Sequence, residues 1–97
     1  MNLLLVTFLY DYSEFLVDAQ TDDEAIKYAM EANKSGVLGR VEDSEYEMGI
    51  NDPTNYYVNF IVNDMNMLNE IIRRDDYAGI YNGVIIFNGV GGIYDYV

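Results

Sequence analysis

A dense group of carboxylates lies in residues 40–52, which read RVEDSEYEMGIND. It contains four acidic side chains within six positions: Glu42, Asp43, Glu45 and Glu47. No basic residue follows them until Arg73. Carboxylates in such a group can ligate a hard cation, transfer protons in pairs, or attract a positively charged protein surface. These three possibilities make different demands on the rest of the sequence.

The first possibility, a calcium loop, requires more than acidic residues at alternate positions. Such a loop has glycine at its sixth position and glutamate at its twelfth. Counted from Asp43, those positions hold Met48 and Thr54. The glycines of residues 89–92 do not form a nucleotide-binding loop, because no Lys-Ser/Thr pair and no helix follow them. The sequence therefore predicts no metal site and no cofactor.

The second possibility, enzymatic proton transfer, finds little support. The chain has no histidine and no cysteine, so it lacks the usual general base near neutral pH and any thiolate nucleophile. Two carboxylates can act as acid and base without histidine. Among 17 acidic residues, however, some pair falls at a suitable distance by chance. We expect that the protein is not an enzyme.

The third possibility fits the charge of the whole chain, which is −12 from 17 acidic and 5 basic residues. Residues 1–20, 41–72 and 75–97 contain acids and no base. Affinity for nucleic acids comes from Lys and Arg side chains that neutralise phosphates, so direct nucleic-acid binding is excluded. The expected partner is a basic protein, because opposite charges steer association.

Tyrosine is the second informative residue type, with ten copies in the chain. Six of them adjoin an acidic residue: Tyr10, Tyr12, Tyr46, Tyr77, Tyr94 and Tyr96. Tyrosine combines apolar area with a polar tip and is enriched at protein interfaces. A strand with one buried face also favours tyrosine. The clustering with acids favours an interface.

The N-terminal residues predict a β-hairpin. The uninterrupted apolar run over residues 3–10 predicts a strand buried on both faces. Residues 14–19 alternate between apolar and polar, which predicts a second strand with Glu14 and Asp18 facing solvent.

Two amphipathic helices are expected after the hairpin. Thr21 and Glu24 form a capping box at the start of a helix over residues 22–34. A second helix begins at Asn63 or Asp64 and ends near residue 74. Its apolar stripe consists of four residues: Met65, Leu68, Ile71 and Ile72.

The remaining strands are shorter. Residues 46–50 and 56–62 are expected to be strands, and residues 84–87 form a strand after the hairpin turn Asn82-Gly83. Residues 93–97 are expected to form the last strand. The order is thus ββα-(β)βα-ββ in one domain over residues 1–97. It predicts an α+β fold, a small antiparallel sheet of about five to six strands with two helices on one face.

We interpret the chain as a non-enzymatic acidic binding protein that occupies the positively charged nucleic-acid-binding surface of a nuclease. Phages and mobile elements make small acidic inhibitors of this kind, including anti-CRISPR proteins and DNA mimics, against effectors such as Cas nucleases. Such an inhibitor acts in the cytoplasm of the bacterial host, and no membrane helix or signal peptide is expected. The expected partner-binding residues are Glu42, Asp43, Glu45, Tyr46, Glu47, Asp52, Asp75, Asp76 and Tyr77.

The alternative is a soluble assembly or regulatory domain whose acidic residues serve solubility only. Such a domain can also self-associate through an edge strand formed by residues 84–97, which would give a dimer. The oligomeric state is not determined by the sequence. The two interpretations differ at Glu45 and Glu47, where charge reversal weakens partner binding in the first and is harmless in the second.

Overall fold

The structure is a computed structural model of the chain and describes residues 2–38, 49–73 and 77–88. In chain order, its elements are β1 Leu3–Phe8, β2 Glu14–Asp18, α1 Asp22–Lys34, a 3₁₀ turn Pro53–Asn55, β3 Tyr56–Val62, α2 Met65–Ile72, β4 Tyr77–Tyr81 and β5 Val84–Phe87. The protein therefore has the α+β fold predicted from its sequence.

The strands form one antiparallel sheet with the order β3-β1-β2-β5-β4. Strand β1 pairs on both sides, so that Leu3 lies opposite Asp18 of β2 and Val62 of β3. The pairing with β3 shifts between Leu5 and Val6, which indicates a β-bulge. The N-terminal hairpin thus occupies the centre of the sheet, and the β4–β5 hairpin extends it beside β2.

The two helices lie on opposite faces of the sheet. In β1, Leu4 and Val6 pack in the cluster that contains the alanines of α1, whereas Leu5 packs in the cluster that contains Ile71 of α2. The prediction that both helices cover one face is therefore wrong. The predicted burial of β1 on both faces is confirmed, and it supplies the physical reason: an uninterrupted apolar strand requires cover on each side.

Glu14 is fully buried, contrary to the prediction that its side chain faces solvent. It alternates with Phe15 and therefore shares a face of the sheet with Leu16, which packs in the α2 cluster. It also lies opposite Thr7 of β1, which is fully buried as well. Both faces of β2 are therefore covered. Only Asp18, at the end of the strand, is exposed, as predicted.

Helix α1 has the bounds predicted for it. The Thr21 hydroxyl accepts a hydrogen bond of 3.1 Å from the backbone N–H of Glu24, which satisfies a donor of the first turn. Ala25, Ala29 and Ala32 face the sheet and are buried. Their small side chains bring the helix backbone close to the strands.

Helix α2 is shorter than predicted and begins at a confirmed cap. The Asp64 carboxylate accepts a hydrogen bond of 2.7 Å from the backbone N–H of Asn66. Ile71 is fully buried, but Met65 and Ile72 of the predicted apolar stripe are exposed. With eight residues, α2 presents only a narrow face to the sheet. Within the described residues, neither helix is long and apolar enough to cross a membrane.

The turn between β4 and β5 follows from the Asn-Gly pair. Asn82 and Gly83 have φ angles of 47° and 80°, both left-handed, as a type I′ hairpin turn requires. The strand that precedes the turn, β4, was not named in the sequence prediction. The register between β4 and β5 shifts between Tyr77 and Gly79, so the side chains of β4 do not alternate regularly along its whole length.

Two predicted strands have different outcomes. The strand expected over residues 46–50 is wrong at its end, because Gly49 and Ile50 are helical. A side chain at Gly49 would overlap the half-exposed ring of Tyr10, which would then have to move. The strand expected over residues 93–97 lies outside the described residues.

Candidate protein-interaction surface

Most of the predicted partner-binding residues lie outside the described part of the chain: Glu42, Asp43, Glu45, Tyr46, Glu47, Asp75 and Asp76. Tyr77 begins strand β4, where its backbone pairs with Phe87. Asp52 is described with its side chain and is exposed. Partner binding by the acidic segments 42–47 and 75–76 therefore remains a prediction.

Asp52 has a structural role at the turn before β3. Its Oδ1 atom accepts a hydrogen bond of 2.7 Å from the Thr54 hydroxyl and one of 3.0 Å from the Thr54 backbone N–H. Both favour the charged carboxylate and hold the pKa of Asp52 below its usual range. The residue therefore caps the 3₁₀ turn while its charge remains in solvent.

The described surface is predominantly negative. It exposes seven carboxylates: Asp18, Asp22, Asp23, Glu31, Asp52, Asp64 and Glu70. The exposed basic residues of the same part of the chain are three: Lys27, Lys34 and Arg73. The negative charge of the chain thus reaches solvent, where its field can act on a partner.

One groove of about 500 Å³ lies between α1 and the β4–β5 turn. Its lining includes two valines, two tyrosines and two carboxylates: Val17, Val84, Tyr28, Tyr81, Asp18 and Glu31. No lysine or arginine is among its lining residues. Apolar, aromatic and acidic groups therefore converge here from α1 and from strands β2, β4 and β5.

A second groove, of about 670 Å³, lies between α1 and the 3₁₀ turn. Lys27 and Lys34 line it, together with Met30 and Pro53. The two lysines adjoin Glu31 at helical spacing, and Glu31 lines both grooves. The positive charges of α1 thus border the second groove and not the first.

The tip of the N-terminal hairpin presents aromatic side chains on a hydrogen-bonded turn. The Asp11 carboxylate accepts hydrogen bonds from the backbone N–H and the hydroxyl of Ser13 at 3.0 and 2.7 Å. Tyr10 is half exposed and stacks on Phe8, with ring centroids 5.3 Å apart. Tyr12 is also exposed and has a φ of 60°, which is uncommon for a residue with a side chain. At this turn, two exposed tyrosines therefore flank a partly exposed carboxylate, Asp11.

Tyr56 shows the other use of tyrosine in this chain. Its ring is 3% exposed and stacks on Phe8 with centroids 4.8 Å apart. Tyrosine content alone therefore does not identify an interface. Tyr10, Tyr12 and Tyr28, in contrast, are exposed.

The described residues hold no cluster of three or more side chains that could bind a metal ion. They form a negatively charged surface with a groove that apolar, aromatic and acidic side chains line. Sequence analysis did not identify this groove. Tyr28 and Glu31 are visible as neighbours on one helix, but their approach to Asp18 and Tyr81 depends on the order of strands in the sheet.

The chain matches no protein-family model, no curated protein and no solved structure. Its function has to be argued from its own surface and charge.

Proposed function

We propose that the protein is a non-enzymatic inhibitor that binds the positively charged nucleic-acid-binding surface of a nuclease. The observation that carries the proposal is the surface charge: seven exposed carboxylates against three exposed basic residues in the described part of the chain. The full chain has a net charge of −12. A field of this sign repels nucleic acid and attracts the surfaces that bind it.

The spacing of the acids suits a surface that holds phosphates. On α1, Glu24 and Glu31 are seven residues apart, which is about 10.5 Å along the helix axis. That distance equals about three phosphate steps of one DNA strand at roughly 3.4 Å each. In an extended strand in general, alternate side chains lie about 6.6 Å apart, or about two such steps. A row of Lys and Arg residues can meet either arrangement.

The biological setting in the proposal is the cytoplasm of a bacterium. There, phages and mobile elements have to block nucleases that recognise foreign DNA, CRISPR effectors among them. A small domain without catalytic groups can do so by occupying the groove that holds the nucleic acid. In this proposal, the protein acts as an inhibitor of the anti-CRISPR or DNA-mimic type.

Affinity capture tests the proposal. The immobilised protein is exposed to a nuclease-treated bacterial lysate that contains a CRISPR effector, and is then washed at low and high salt. We expect a basic nucleic-acid-binding protein to be retained at low salt and released at high salt, because ion pairs at an exposed interface are screened. Added DNA or guide RNA should also displace it.

The matched control is a variant in which exposed carboxylates are neutralised, with capture under the same conditions. Loss of the retained protein in that variant supports charge complementarity. Retention that is indifferent to salt and to nucleic acid would contradict it. That result would favour the assembly or regulatory domain, in which the acids serve solubility only.

A further inference from the structure

We infer that the groove between α1 and the β4–β5 turn receives an arginine side chain of the protein partner. The inference rests on the proposed function and names a contact that the described residues supply. An arginine has an apolar stem, a planar guanidinium group and a delocalised positive charge. The groove offers a complementary surface for each of these three parts.

Two valines contribute apolar atoms to the lining of the groove. Val17 and Val84 line it and are buried, with 1% and 5% of their surfaces exposed. They belong to neighbouring strands, because β2 and β5 pair with Leu16 opposite Ile85. Apolar atoms in the lining can contact the methylene stem of a long cationic side chain, which buries its carbons and keeps its charge in water.

Tyrosine rings line the groove from two different elements. Tyr28 stands on α1 and is 37% exposed, and Tyr81 stands at the end of β4 and is partly buried. The faces of tyrosine rings attract cations, and they attract the planar guanidinium group more often than an ammonium group. The lining therefore favours arginine over lysine.

Two carboxylates line the groove beside Asn82 and Gly83 of the β4–β5 turn. Asp18 at the end of β2 and Glu31 on α1 both reach solvent and line the groove. Carboxylates can accept paired hydrogen bonds from a guanidinium group. The neighbouring Lys27 and Lys34 line the other groove and are not among the lining residues of this one. Two carboxylates beside tyrosines suit an organic cation better than a metal ion, which requires more oxygen ligands.

The test uses a blocked tripeptide, acetyl-Gly-Arg-Gly-amide, as the probe. It is titrated into the isotopically labelled full chain at low salt, and backbone amide shifts are recorded by NMR. The same tripeptide with citrulline, which has the shape of arginine without its charge, serves as the matched probe. We expect saturable shifts centred on Tyr28, Glu31 and Gly83, and an affinity for the arginine probe about fivefold higher than for the citrulline probe.

Two double variants separate the groove from the general charge of the surface. The double variant that combines Asp18→Asn and Glu31→Gln should bind the arginine probe about fivefold more weakly. The control double variant combines Asp23→Asn and Glu70→Gln, which removes the same amount of charge elsewhere. Its affinity for the arginine probe should change by less than about twofold. Tyr28→Leu keeps every charge and should also weaken binding, and the dispersion of each spectrum reports whether the variant is folded.

Shifts spread evenly over the exposed carboxylates would overturn the inference, as would equal binding of the citrulline probe. If either occurs while the protein still captures a basic partner in a salt-sensitive way, the groove inference fails and the proposed function stands. If the arginine probe binds in the groove but no basic partner is captured, the groove binds arginine and the proposed nuclease inhibition fails.

Discussion

The side-chain amide of Asn33 donates a hydrogen bond of 2.8 Å to the hydroxyl of Tyr56, which joins α1 to β3 inside the core. The same hydroxyl donates a hydrogen bond of 2.9 Å to the backbone carbonyl of Ile50. Tyr56 thus connects the helix, the strand and the residues that precede the 3₁₀ turn. One phenol group therefore joins α1 to the segment around β3, which lies 23 residues further along the chain.

Replacing Tyr56→Phe should therefore lower the free energy of unfolding by about 1–3 kcal/mol. The change leaves the Asn33 amide and the Ile50 carbonyl without the hydroxyl, and buried polar groups that lose a partner are destabilising. Urea unfolding measures the loss. Tyr28→Phe, at an exposed position, is the control and should change the stability by less than about 0.5 kcal/mol. Equal effects of the two substitutions would contradict the role of the hydroxyl.

Adjacent isoleucines in α2 provide a test of the placement of this helix. Ile71 is fully buried and Ile72 is 48% exposed. Ile71→Ala should lower the free energy of unfolding by about 2–5 kcal/mol, because it leaves a cavity between the helix and the sheet. Ile72→Ala should lower it by less than about 1 kcal/mol. The reverse order would mean that α2 packs through a different face.

Local sequence signals predicted most of the elements but not their arrangement. The caps at Thr21 and Asp64 and the turn at Asn82-Gly83 each act within a few residues, so the sequence contains the complete signal. The face on which α2 lies depends on contacts with distant strands. Glu14 shows the same limit, because alternation in a strand does not distinguish a solvated face from a covered one.

The candidate site was predictable in its charge but not in its geometry. The excess of acids and the enrichment in tyrosine are properties of composition, which the sequence gives directly. The groove forms because β5 pairs with β2 and carries the β4–β5 turn toward α1. That pairing brings Tyr81 near Tyr28, and no local pattern encodes it.

Asp52 should contribute a pH-dependent part of the stability. Its pKa is below the usual value of 3.8 because Thr54 donates two hydrogen bonds to the carboxylate. The stabilisation is therefore present above pH 3.8 and is lost as the pH falls through the folded-state pKa. Asp52→Ala should unfold at a lower temperature than the native chain at about pH 7, and the difference should shrink in strong acid.

Thermal unfolding of both proteins over a series of pH values measures this difference. Asp52→Asn is the control, because it removes the charge and keeps an oxygen that can accept the hydrogen bonds of the cap. A deficit for Asp52→Ala that is the same at every pH would show that the charge of Asp52 does not contribute.

Charge reversal in the acidic segment distinguishes an interface from a solvated loop. The double substitution Glu45→Lys and Glu47→Lys should weaken partner binding by about tenfold or more, because like charges would then face each other. The melting temperature should remain nearly unchanged, since surface substitutions have small effects on stability. Calorimetry of unfolding and a binding titration measure the two quantities.

The control for that experiment is Asp23→Lys with Glu70→Lys, which changes the net charge by the same amount at other exposed positions. A smaller effect of the control on binding indicates a localised interface. Unchanged binding in the Glu45→Lys and Glu47→Lys protein would remove these residues from the interface.

The most direct test of the central claim is a competition measurement on the captured nuclease. A fluorescent nucleic-acid substrate is bound to the nuclease, and the acidic protein is added at about 50 mM and then at about 200 mM salt. Our account predicts that the protein displaces the nucleic acid and that its apparent affinity falls at least about tenfold at the higher salt. A complex that retains both the nucleic acid and the protein, or binding that does not respond to salt, would contradict it.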